Sequence, residues 1–258
     1  MGHTRLGDIP RTRKWQEVVS LISGGAGAPQ VANGVIRAAE QGLQLATEHK
    51  ALVEAFWLLT QLPLAAKTRD LAAALRERGL NVSSDPGLMD VVAALSEAVD
   101  ARLPNNSGRT DLGEMAQAAA SEAIVQVVTE KTQSLFGTTP EDVKAGLAGL
   151  GTVKQFGLFA KQFYARLTEK VLQYYVSRVT AGAVGGQELR FQTLASKAEF
   201  DKALNLHCRE ASKIVEAFAG EWFSKTKWEN QGISRDDAVR FSHVAMQKMV
   251  AELKAGAR

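Results

Sequence analysis

Apolar side chains return every three or four positions along nearly all of this 258-residue chain, and the strict alternation of a half-buried strand is almost absent. That periodicity predicts an all-α fold. Only six prolines interrupt it, and they fall where helices are expected to start or stop. Apolar residues make up 45% of the chain and charged residues 23%, which argues for a packed globular core and against disorder.

The punctuation gives the elements. A short helix is expected over residues 15–22, closed by the glycine-rich stretch 23–29. From Gln30, one face carries Val31, Val35, Ala38, Ala39 and Leu43. A second apolar series, Leu52, Ala55, Phe56, Leu59 and Leu62, is expected to stop at Pro63. The helix over 67–78 should end at Gly79, which suits a left-handed C′ position. Ser84, Asp85 and Pro86 read as a start signal with Pro86 in the first turn, for a helix running to about residue 103.

Residues 104–108, Pro-Asn-Asn-Ser-Gly, are the most loop-like internal segment and mark a candidate boundary. Beyond it helices are expected over 110–136, from Thr139-Pro140 onward, over 152–181, over 197–223 and from Ser234 to about residue 253. The whole reads as a bundle of about eight to ten helices, either one body or two packed subdomains. A basic arm at 1–14 would precede them, with the N-terminal subdomain at 15–103 and the C-terminal one, built on a long central aromatic helix, at 110–258.

The helix over 152–181 holds all three tyrosines, with Phe156, Phe159 and Phe163. Its apolar face is wider than a surface helix needs, so a central position is expected. The competing reading is an exposed aromatic face meeting a partner or a membrane.

Local motifs for chemistry are missing. No glycine cluster is followed by Lys-Ser or Lys-Thr, and the 146–151 run reverses the dinucleotide spacing. The histidines, His3, His49, His207 and His243, lie far apart and lack metal-ligand spacing. Cys208 reads as a small buried hydrophobe. The acid pairs Glu141-Asp142 and Asp236-Asp237 fall in first helical turns, where capping accounts for them. No catalytic residue, cofactor site or metal site is therefore expected. Nor does any motif tie the chain to a known family.

Charge is the remaining signal. Residues 1–14 carry Arg5, Arg11, Arg13 and Lys14 against Asp8, a surplus equal to the +3 of the whole chain. The rest is balanced. Arginine forks match phosphate and carboxylate geometry, and Trp15 could stack or anchor. Leu6 and Ile9 favour docking on protein over a purely electrostatic grip. The lone Cys208 cannot form an internal disulfide, and no apolar run follows the first charges, so a cytoplasmic protein is expected.

The leading expectation is a non-catalytic interaction or scaffold subunit of a larger cytosolic assembly. It would dock through the arm with Arg5, Arg11, Arg13, Lys14 and Trp15, on a protein partner or within a homo-oligomer. A nucleic-acid-binding accessory protein using the same arm comes second. A membrane-active effector working through residues 144–186 comes third, since Lys154, Lys161, Arg166, Lys170 and Arg178 lie beside the apolar face.

Overall fold

A computed structural model of the chain describes residues 13–46, 49–103, 110–131, 139–180, 184 and 190–255. The fold is an all-α multi-helix bundle, with no strand among the described residues. In chain order the helices are α1 (Arg13–Ser23), α2 (Ala28–Ala46), α3 (Lys50–Ala66), α4 (Leu71–Glu77), α5 (Leu88–Ala101) and α6 (Asp111–Lys131). Then come α7 (Pro140–Gly149), α8 (Val153–Thr180), α9 (Leu194–Ala211), α10 (Lys213–Glu229) and α11 (Arg235–Ala255).

Two helices organise the rest. α3 is buried on every side, Glu54, Thr60 and Gln61 included, and packs against α4, α5, α6, α7 and α11. α8 packs against α1, α2, α6, α9 and α10. Phe56 of α3 joins the two, its ring 5.9 Å from Phe163 and 5.4 Å from Tyr164, with Phe241 of α11 stacked at 4.9 Å. The buried apolar residues form one cluster fed by helices on both sides of residues 104–108. The loop itself lies outside the described residues.

Local chemistry explains most of the boundaries. Thr139 caps α7, accepting from the Asp142 N–H at 3.2 Å while Asp142 accepts from the Thr139 N–H at 3.0 Å. Ser234 and Asp237 repeat this reciprocal cap at α11. Gly79 follows α4 at φ +84°, the left-handed geometry that glycine adopts without strain.

Several boundaries differ from expectation, among them the start of α4 at Leu71 where residue 67 was expected, because Lys67 closes α3 and Asp70 caps α4 by accepting from the Ala73 N–H. α3 runs through Pro63 to Ala66, because burial of Ala65 and Ala66 in the next turn outweighs the one helical bond Pro63 cannot donate. Pro86 is buried ahead of α5, not in its first turn; the start is set instead by Gly87, whose N–H donates to Asp90 at 3.1 Å. The run expected over 197–223 is divided at Ser212, whose hydroxyl donates to the Arg209 carbonyl at 2.7 Å. Residues 132–136, expected to extend α6, are outside the described residues.

α8 and α10 approach unusually closely. A Cβ on Gly220 would lie 1.9 Å from the Val153 carbonyl oxygen, and one on Gly157 2.8 Å from that of Glu216. Only glycine permits this seam.

Candidate functional site

The root of the N-terminal arm is built by α1. Its spacing turns Trp15, Val18 and Ile22 inward and leaves Arg13 and Lys14 exposed. Trp15 is 3% exposed, with its ring 4.6 Å from Tyr175 of α8. The structure therefore places Trp15 in the core, and the stacking expected of it goes to Tyr175. Arg5 and Arg11 lie outside the described residues. Of the five residues singled out from sequence, Arg13 and Lys14 are the two described at the surface.

Beside them, α1 and α2 enclose a groove of about 290 Å³ lined by Lys14, Glu17, Gln30, Asn33 and Arg37 among others. Lys14 donates to the Arg37 carbonyl at 3.4 Å. Asn33 donates to the Lys254 carbonyl at 3.1 Å, while its buried Oδ1 meets no partner among the described residues. Gly34 lets the helices close, since a Cβ there would sit 2.8 Å from Leu21.

The aromatic helix is central, as its width implied. Phe156, Phe159, Phe163, Tyr164 and Leu172 of α8 are buried, and Tyr174 is half-buried. Lys161 pairs with Glu216, and Arg166 and Lys170 both reach Glu122 at 2.6 Å. Among the described residues, no helix is long and apolar enough to cross a membrane.

The residues tested for chemistry have structural surroundings. Burial pushes the Cys208 thiol far up, and the nearby Glu169 charge adds to this. His207 approaches the Leu253 carbonyl at 3.2 Å, and His243 contacts Gln247 at 2.9 Å. Burial lowers the His49 pKa, favouring the neutral ring, whose Nε2 is 3.1 Å from the Thr110 hydroxyl. No group of three potential metal ligands occurs among the described residues.

A second cluster had no signal in the sequence. Glu54, buried on α3, accepts from Arg235 Nε at 2.6 Å and Nη2 at 2.7 Å, and from Arg102 Nε at 3.2 Å. The Arg235 guanidinium carbon sits over Trp57, 3.6 Å from the ring centre. Trp57 in turn donates to the Ile233 carbonyl at 2.9 Å. These residues are up to 181 positions apart, so no window of sequence contains them. Trp228, 84% exposed near the end of α10, was also missed. Its indole sits in an otherwise polar run that gave no periodic signal.

Comparison of the chain with protein-family models, curated proteins and solved structures finds no match to any of them.

Proposed function

We propose that this protein is a non-catalytic helical interaction subunit of a larger cytosolic assembly, docking through its N-terminal arm. The observation that carries this reading is the clamp at the arm's root. Trp15 is held in the core against Tyr175 while its neighbours Arg13 and Lys14 stay at the surface beside a groove that adds Arg37. A fixed root lowers the entropy lost when a cationic segment binds, because its point of departure is already ordered. The chemistry fits an acidic protein surface. The apolar Leu6 and Ile9, within the same arm, give such a contact something to bury.

The rival nucleic-acid reading keeps its phosphate-binding cations but lacks its stacking residue, since the Trp15 face is occupied by Tyr175. It would rest on four cations alone.

The test is co-purification from the native host with the full chain, a chain lacking residues 1–12, and an Arg13→Glu/Lys14→Glu double variant. A partner retained by the full chain and lost from both variants is the expected result. Equal recovery by all three would overturn the docking role of the arm. Anisotropy with labelled DNA and RNA separates the rival, which requires arm-dependent binding falling with salt at a log–log slope of about −3 to −4.

A further inference from the structure

Around Glu54, the helices α3, α5 and α11 leave a cavity of about 360 Å³ lined by Lys50, Val53, Glu54, Arg102, Arg235 and Val239. Three cations face one carboxylate. A structural tie between helices needs a single cation opposite Glu54, and Arg235 already supplies it with a two-pronged contact. Arg102 adds only its Nε at 3.2 Å, and Lys50 makes no ion pair among the described residues. On α11, Asp237 is engaged by Ser234 and by Arg240 at 2.6 Å, and the exposed Asp236 makes no ion pair among the described residues. The surplus positive charge in this cleft is therefore not answered by α11.

We infer that this cleft binds a small oxyanion carrying two or more negative charges, a phosphate ester or a dicarboxylate. The cations are set for it before it arrives. Arg235 is fixed from below by the Trp57 ring and from the side by Glu54, so little ordering is lost on binding. Arg102 and Lys50 approach from two other helix ends and close the positive rim. Val53 and Val239 give the cavity apolar walls for a short carbon skeleton. This site is separate from the arm and stands or falls without it.

The experiment uses the full chain and two probes, inorganic pyrophosphate and succinate, with sodium chloride matched for ionic strength. Melting temperature and calorimetric titration are the readouts. A saturable rise in melting temperature with either probe, beyond that of the salt control, is expected. The relative affinity of the two probes identifies the chemistry. Lys50→Gln and Arg102→Gln leave the Arg235–Glu54 pair in place, and each should weaken binding by about tenfold. No saturable effect from either probe would overturn the inference, as would binding that both variants retain unchanged.

Discussion

Two cation-rich cavities of similar size differ in charge balance. Where α9 breaks into α10, Lys161, Arg166, Arg209 and Lys213 line a space of about 290 Å³. Each meets a different carboxylate, in Glu216, Glu122, Glu169 and Glu210 respectively. At α3, α5 and α11, Lys50, Arg102 and Arg235 have, among the described residues, Glu54 alone. Counting cations at a cavity does not distinguish the two; counting the carboxylates behind them does. The first arrangement is a closed seam, and the second keeps charge in reserve.

Gly220→Ala should break the seam most severely. A Cβ 1.9 Å from a backbone oxygen cannot be relieved by a side-chain rotation, so α8 and α10 must separate. The expected loss is about 3 kcal/mol, at the upper end for overpacking, read by denaturant unfolding. At the open cleft, Glu54→Gln should cost about 2 kcal/mol, because it leaves two guanidinium groups without their shared anion. A loss below that of ordinary surface substitutions would mean that the cleft carries no tension.

Acid sharpens the comparison from the other side. Burial raises the Glu122 pKa, but the hydrogen bonds and charges of Lys170 and Arg166 outweigh it and hold the carboxyl below its usual range. Because the folded pKa is the lower one, this stabilisation is present above the ordinary carboxylate range and is lost as pH falls through the folded value. Glu122→Gln should therefore flatten melting temperature against pH below about pH 4.5. Smallest of all, Lys50→Gln should change stability by no more than about 0.5 kcal/mol, since that lysine pairs with no carboxylate among the described residues. Repulsion from Arg102 and Arg235 sets the sign, so a slight gain is expected.

The helices were legible because their signals are short. Thr139 with Asp142, Ser234 with Asp237, and Gly79 after α4 each act within a few residues. Pro63 misled because the force that carries α3 past it comes from helices distant in sequence. Ser212 was hidden for a similar reason: the periodicity continues across it while the backbone bends. Trp15 was read as a contact residue from its type and its place at the end of the basic arm, yet its indole packs on Tyr175, 160 positions away. The Glu54 cluster draws on α3, α5 and α11 at once, and only the packed bundle brings its members together.

The stack of Arg235 on Trp57 also makes the cleft optically visible. A cation lying on an indole face shifts the energy of its excited state, so any occupant that draws the guanidinium aside should change the emission of Trp57. Trp15 is sealed in the core and Trp222 is packed against Phe56, Phe156 and Phe241, whereas Trp228 faces solvent and is open to a soluble quencher. Quenching Trp228 first would leave the cleft's own tryptophan easier to follow, without a dye or an added label.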